Sequence, residues 1–542
     1  MRGNDTEWKF IAGTITYPLH LAHFYTNIDH MKIDQLQNLL KPGCSGNCLA
    51  LFAGAILTLA FAPFFIFPLA ILSPALLLGL WLYVTPKQAF LRGWLFGLGF
   101  FGTGVYWVFI SIHTYGNASV LLAGFITCVF IAFLALFPAI AGYLLNRYFP
   151  YPKESKIIFA FSALWLLLEW IRSWIFTGFP WLLLGDSQIY SPLKGYAPVL
   201  GVYGVSFAVL LSSGLLVNSI IKAYKHNYKN MTINLFLIGT IWVIGGGLSF
   251  LQWTKPQGSP IQVSLVQGNI DQELKWSFDH LALTLNLYRT LTQENWGSKL
   301  IIWPENAIPL SLQNAMDFVD NISKEAKDNN ATLITGIPIQ NGNENNYFNA
   351  VIAIGNDYNF YLKQKLVPFG EYTPFANYLT KIMDHFKIPM SSMVPSNQET
   401  KPLFAQGLEI ATFICYEIAF PELVRAQSDR VGILLTVSND AWFGHSIASA
   451  QHMAMAQMRA IELRKPALFV SNTGITSIIR PDGTIQSAIP PFKTAVLTDK
   501  VQAMSGKTLW QQRGMDPLLL SMITFLIISL KSQRKTKKKR AK

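Results

Sequence analysis

Cys415 carries the clearest chemical potential in this sequence. It lies in Ala411-Thr412-Phe413-Ile414-Cys415-Tyr416-Glu417, at the end of a β-like apolar run, and Ile418, Ala419, Phe420, Pro421 and Glu422 after it can open a helix. A strand-to-helix elbow exposes a side chain at its tip and aims backbone N–H groups at it, which favours an anion there. A thiol nucleophile also needs a base and a means of stabilising the oxyanion. Ile301-Ile302-Trp303-Pro304-Glu305-Asn306 sets Glu305 just past a hydrophobic strand, where partial desolvation would raise its pKa and suit it to take a proton. Lys363, in Tyr361-Leu362-Lys363 ahead of Leu366-Val367-Pro368-Phe369-Gly370-Glu371, can balance a developing oxyanion. Taken singly, each has a plainer reading: a buried strand cysteine, and a surface or ion-paired glutamate and lysine. The remaining cysteines offer less. Cys44 and Cys48 have no second Cys or His pair at metal-ligand spacing, and Cys128 reads as a packing residue in an apolar run.

These residues fall within a stretch, 254–513, where charges, Asn, Gly and Pro intersperse with short apolar runs. The runs lie at 261–267, 299–303, 331–337, 350–354, 410–415 and 432–438, with helix-compatible segments near 279–294, 314–327, 420–428 and 447–464. Alternating strands and helices predict an α/β aqueous domain around a buried sheet. On both sides of it the chain is apolar. Stretches near 48–66, 68–84, 89–112, 118–145, 157–177, 194–221 and 232–251 predict about seven transmembrane helices over 46–253, and 514–530 predicts one more. The apolar part of the last, 517–530, is short and would have to borrow residues from 513–516 or thin the bilayer. Residues 1–45 are mixed in character, show no signal-peptide pattern and receive no role.

Composition agrees with membrane spans: 51% of residues are hydrophobic and 13% charged, against about 25% charged in soluble globular chains. The formal charge of +13 would suit nucleic acid, but its placement argues for a membrane instead. Eight basic and no acidic residues fill 531–542, a basic tail. Lys87 and Arg92, then Arg147, Lys153 and Lys156, then Lys222, Lys225 and Lys229 flank loops two spans apart. All therefore share one face with the tail, which the positive-inside rule makes cytoplasmic, and the 254–513 domain falls on the opposite side.

Together the Glu305, Lys363 and Cys415 segments resemble the nitrilase superfamily, whose Glu-Lys-Cys triad occurs in this chain order. The resemblance narrows with Leu366 to Glu371, Cys415-Tyr416-Glu417, Ser438-Asn439-Asp440-Ala441-Trp442-Phe443-Gly444, Gln451-His452, Arg459-Ala460-x-Glu462 and Asn472-Thr473-Gly474-Ile475-Thr476. These look like the apolipoprotein N-acyltransferases, as does Gly178-Phe179-Pro180-Trp181 with Glu169 and Arg172 upstream. The likeness covers about 45 to 530. It implies a nitrilase-like α-β-β-α sandwich joined to a multi-span helical bundle in a bacterial inner membrane, with the sandwich periplasmic. The implied reaction has Glu305 take the Cys415 proton and the thiolate attack a phospholipid ester, phosphatidylethanolamine being the expected donor. Lys363 stabilises the oxyanion, and the thioester then acylates the α-amine of a diacylglyceryl-cysteine on an apolipoprotein. By the same correspondence Glu371 and Glu417 support the site, while Trp276, Asn349 and Tyr416 line or gate it. No metal or organic cofactor is implied.

Within the membrane part, Arg172 is costly to bury, which suggests a lipid-headgroup contact or an intrahelical pairing with Glu169. Gly178 and Trp181 can shape an acyl portal, and Trp181 can equally be an ordinary interfacial aromatic. Two departures from the family pattern stand out. Phe469 lies where an Arg is expected, and the stretch from Ser446 to Gln451 lacks a Gly-Pro. Two other functions compete: a membrane-tethered amidase or nitrilase, which shares the triad, and a transporter or receptor, which the scarcity of ionisable residues in the spans disfavours.

Overall fold

A computed structural model describes residues 43–342, 346–372, 393–396 and 401–540. Most of the N-terminal extension, and the last two residues of the basic tail, lie outside the described residues.

The long apolar stretches read outside 254–513 are largely helical. Cys44–Leu57 runs on through Thr58–Ala60, and Leu69–Trp81 follows. Pro86–Gly104 bends by 54° into Trp107–Tyr115, and next come Val120–Tyr148, Ser155–Ala160 with Phe161–Arg172, Ala197–Tyr224 and Tyr228–Ser249. Local chemistry starts them: Pro86 occupies a first-turn position behind Thr85, whose Oγ1 accepts from Gln88 N at 3.3 Å. Glycine lets two of them touch. A Cβ on Gly54 would lie 1.9 Å from the Phe96 carbonyl oxygen, and one on Gly99 2.1 Å from that of Leu51, so these backbones approach as only small residues allow.

Length separates the helices. Among the described residues four are long and apolar enough to cross a membrane, or five with the bent pair taken as one span, whereas Cys44–Ala60 and Leu69–Trp81 are shorter. The outward faces are apolar, with Leu121, Phe125, Phe236 and Val243 exposed. Cys128 is exposed on the same kind of face, which corrects its reading as a packing residue: in a bilayer an apolar position need not point inward. The C-terminal helix spans Asp516–Arg540 and does not stop at 530. It gains its length from the basic segment. Ser529 Oγ donates to Ser155 O at 2.8 Å and Gln533 Nε2 to Tyr151 O at 2.9 Å, so the start of that segment lies against the 151–155 loop.

The aqueous half is built on two six-stranded sheets. One runs, in spatial order, Ala495–Val501, Ile261–Gln267, Leu300–Ile302, Thr332–Gln340, Tyr347–Gly355 and Asn359–Leu362. The other runs Ile485–Ile489, Thr476–Ile479, Ala467–Ser471, Ile433–Ser438, Leu408–Ile414 and Leu403–Ala405. Val263, Leu265, Ile302 and Val351 of the first pack against Ile410, Ile414, Leu435 and Val470 of the second. Tyr288, Val319 and Ile322, from helices Phe278–Gln293 and Met316–Asp328, cover the outer face of the first sheet. Helix Ala448–Leu463 covers that of the second. The result is the expected α-β-β-α sandwich. All of helix Ala448–Leu463 except Ala450 is buried, because its other side meets the membrane helices in one continuous core.

Candidate active site

The parallel strands Leu300–Ile302, Leu408–Ile414 and Ile433–Ser438 end on one side of the sandwich, and the chemistry gathers just past their C-terminal ends, the usual place in α/β folds. Cys415 takes φ +51° and begins a single 3₁₀ turn, Cys415–Ala419. A non-glycine residue there is strained, and such strain persists only where neighbours over-determine it. Glu417 supplies much of that. Its buried carboxylate accepts from Ile414 N at 2.8 Å, Gln364 N at 2.7 Å, Lys365 N at 3.1 Å and Tyr361 Oη at 2.9 Å. Glu417 thus binds the elbow to the segment after Lys363.

Glu305 and Lys363 meet beside it. Lys363 is buried, with Nζ 3.4 Å from Glu305 Oε1 and 2.9 Å from Glu371 Oε1. Asn349 Nδ2 donates to the same two carboxylates at 2.8 and 2.9 Å, and Asn439 N donates to Glu305 Oε2 at 2.9 Å. Burial pulls the Lys363 pKa down, but Glu371, Glu305 and Cys415 more than offset this and hold it well above the ordinary lysine range. The site therefore contains a fixed cation. Cys415 is partly exposed, and burial of its thiol together with the Glu305 carboxylate pushes its pKa well above the usual thiol range, Lys363 opposing them. At rest it is a thiol that must surrender a proton to react, and Glu305 is the carboxylate held next to it. Among the described residues no group of His, Cys, Asp and Glu could hold a metal.

Residues 53–215 match the family described as apolipoprotein N-acyltransferase N-terminal domain, and residues 262–508 match carbon-nitrogen hydrolase. A protein of Coxiella burnetii named apolipoprotein N-acyltransferase is 44% identical over 89% of this chain and 99% of its own. One of the same name from Pseudomonas syringae pv. tomato is 42% identical over 86% and 92%. The chain belongs to the apolipoprotein N-acyltransferase family. Against the family pattern its two departures have plain surroundings. Phe469 is buried with its ring 5.1 Å from that of His452, and Ser446 Oγ accepts from Ala448 N at 3.3 Å where helix Ala448–Leu463 begins.

A loop of the membrane half reaches the site. The Tyr416 hydroxyl donates to Gly178 O at 2.9 Å, tying the residue after Cys415 to that loop. Arg172 holds the loop from below, donating from Nη1 to Phe179 O and Trp181 O at 2.7 Å each. The guanidinium is thus bonded to backbone carbonyls. Glu169 accepts instead from Ser206 Oγ at 2.5 Å and Leu184 N at 3.3 Å. Trp181 is 1% exposed, stacks 5.7 Å from His452 and donates to Gln451 Oε1 at 2.7 Å, so it is an interior residue and no interfacial belt member. Trp276, in contrast, is 50% exposed, one residue after Lys275, whose Nζ donates to Glu305 O. Gly178 has φ +86°, and a Cβ on it would lie 2.1 Å from Ser173 O. Gly178→Ala is expected to strain the loop by about 1–3 kcal/mol and to lower acyl transfer more than thermal stability, which parallel activity and melting measurements on the variant check.

One site residue carried no sequence signal. Lys275 is buried and donates from Nζ to Glu305 O at 2.9 Å; burial lowers its pKa to about 8, with Glu305 and Cys415 opposing. In the sequence it is one lysine in a charged stretch. Glu462, seen only as part of a motif, accepts from Val202 N at 2.6 Å where Gly201, at φ +69°, breaks helix Ala197–Tyr224. Helix Ala448–Leu463 is thereby fastened to the membrane half.

Proposed function

We propose that this chain N-acylates apolipoproteins through a thioester on Cys415, with a membrane phospholipid, most simply phosphatidylethanolamine, as donor. Glu305 takes the thiol proton as sulfur attacks the ester carbonyl; the C–S bond forms, the C–O bond breaks, and Glu305 returns the proton to the departing lysophospholipid. Lys363 faces the negative charge that develops on the carbonyl oxygen. The α-amine of a diacylglyceryl-cysteine then attacks the thioester. A C–N bond forms, the C–S bond breaks, and the amine proton passes through Glu305 to the cysteine sulfur. Glu371 and Asn349 hold Lys363 and Glu305 in register, Glu417 holds the elbow, and Trp276 flanks the entrance.

The observation that carries this reading is the hydrogen bond from Tyr416 to Gly178, which sets the nucleophile's neighbour against the membrane half. Lipid chains entering from the bilayer need not be drawn into water, a step that costs about 0.8 kcal/mol per CH₂. A small cavity lined by Phe96, Phe100, Phe101, Trp165 and Leu182 lies under the same loop, with Glu169 and Arg172 at its wall; at about 30 Å³ it would have to widen to admit an acyl chain. We take 46–253 and 514–530 as the membrane part and 254–513 as the acyltransferase domain. The distribution of Lys and Arg supports a bacterial inner-membrane protein with that domain on the periplasmic side.

The test is to incubate the purified chain in lipid with phosphatidylethanolamine and a synthetic diacylglyceryl-cysteine peptide, following the peptide by mass spectrometry. A gain of one acyl chain at the peptide's N-terminus is expected. Release of free fatty acid with the peptide unchanged would mean hydrolysis, the reaction of a tethered amidase or esterase.

A further inference from the structure

Glu305 is held at more places than its ion pair with Lys363 requires. Its Oε2 accepts from Asn439 N at 2.9 Å, and its backbone oxygen accepts from Lys275 Nζ at 2.9 Å. Asn306, the next residue, takes φ +47°, a left-handed conformation uncommon outside glycine. A turn of that kind keeps its shape only where neighbours fix it, and the Lys275 bond fixes the peptide between the two residues. Lys275 donates there whether or not it carries a charge, since an amine and an ammonium both have N–H groups.

The donor to the carboxylate is fixed as well, and the order of its bonds follows from the backbone outward. Ile270 N donates to Asn472 Oδ1 at 2.9 Å, and Asn472 Nδ2 donates to Ile270 O at 2.7 Å. Backbone groups cannot exchange roles, so the Asn472 amide has one orientation. Its Nδ2 also donates to Asn439 Oδ1 at 3.0 Å, which leaves Asn439 Nδ2 to donate to Gln272 Oε1 at 2.6 Å. Asn439, Asn472, Gln272 and Lys275 are all buried, where an unpaired amide N–H is costly. Gln272 and Lys275 share the short helix Gln272–Lys275, capped by Asp271 Oδ1, which accepts from Glu273 N at 3.2 Å.

We propose that residues 270–275 are a strap that positions the general base, with Gln272 and Lys275 as its positioning residues. Lys275 holds the Glu305 backbone, and Gln272 holds Asn439, whose N–H holds the Glu305 carboxylate. With both ends fixed, the carboxylate keeps its place while Cys415 gives up its proton. Neither side chain need touch the lipid. The proposal rests on Glu305 as the base that takes the Cys415 proton.

A double-mutant cycle on the full chain in lipid tests it, read as single-turnover formation of the acyl-enzyme from phosphatidylethanolamine by intact mass spectrometry. Lys275→Met is expected to slow the reaction at saturating lipid by about 10²-fold, the loss that a misplacement of about 1 Å can bring. The half-saturating lipid concentration should stay where it is. In a Glu305→Gln background the same substitution is expected to cost no more than roughly twofold, because residues that act through one group are not additive. Gln272→Leu runs the same cycle as a second variant and carries the test if Lys275→Met does not fold. An equal fall in both backgrounds overturns the proposal, because the strap would then be only structural. So does an unchanged rate with Glu305 in place. A wild-type chain that forms no acyl-enzyme, or a Glu305→Gln chain that forms it at the wild-type rate, removes the reading of Glu305 as the base and the proposal with it.

Discussion

Lys363→Met is expected to reduce acyl transfer by about 10³-fold or more while substrate binding changes little. Removing one oxyanion donor ordinarily costs about 10²–10³-fold, and here the loss is compounded. Lys363 Nζ bridges Glu305 and Glu371, all with little solvent access. Without the ammonium, two neighbouring carboxylates face each other, and like charges so placed force one to take up a proton. One substitution thus removes the oxyanion's partner and leaves the proton acceptor beside an unbalanced like charge. Breaking a buried ion pair costs about 3–5 kcal/mol, and a lower melting temperature should accompany the kinetic loss. Lys363→Arg is not expected to restore activity: a planar guanidinium does not fit a pocket shaped for one ammonium. Single-turnover rates, with the melting curve of each variant beside them, read both effects. A variant that keeps more than about a tenth of the wild-type rate would remove Lys363 from the mechanism.

Glu305→Gln is expected to be comparably severe for a different reason. General bases contribute about 10²–10⁴-fold, and the shape-conserving amide cannot accept the thiol proton. It also cannot satisfy its neighbours. Glu305 Oε1 accepts from Asn349 Nδ2 and Lys363 Nζ, while Oε2 accepts from Asn439 N. Whichever way the Gln amide turns, its NH₂ meets a donor. The rate of thioester formation should fall by about 10³-fold, whereas a preformed acyl-enzyme should still be recognised by the lipopeptide. Stopped-time mass spectrometry of the acyl-enzyme separates the two steps.

Much of this site was legible because buried parallel strands read as continuous apolar runs. Strands Ile261–Gln267, Leu408–Ile414 and Ile433–Ser438 fall on stretches visible in the sequence, and the residues just past their ends carry the chemistry. Strands Asn359–Leu362, Ile485–Ile489 and Ala495–Val501 left no such trace, since they pair antiparallel and mix half-buried and exposed positions with few buried ones. Lys275 was illegible because its burial comes from packing distant in sequence. Arg172 carried a real signal, the cost of a buried charge, but not its partners: backbone carbonyls of a loop have no side-chain signature. The helix through Arg540 was hidden by charge. Lys and Arg are good helix formers, and a solvated basic helix reads in sequence as a tail.

The most direct test of the proposed chemistry is intact mass spectrometry of the lipid-embedded chain after exposure to phosphatidylethanolamine, with Cys415→Ala in parallel. The expected result is a single fatty-acyl adduct on the wild-type protein, removable by hydroxylamine and absent from the variant. A folded wild-type sample with no adduct, or an adduct that survives in Cys415→Ala, would contradict a thioester on Cys415.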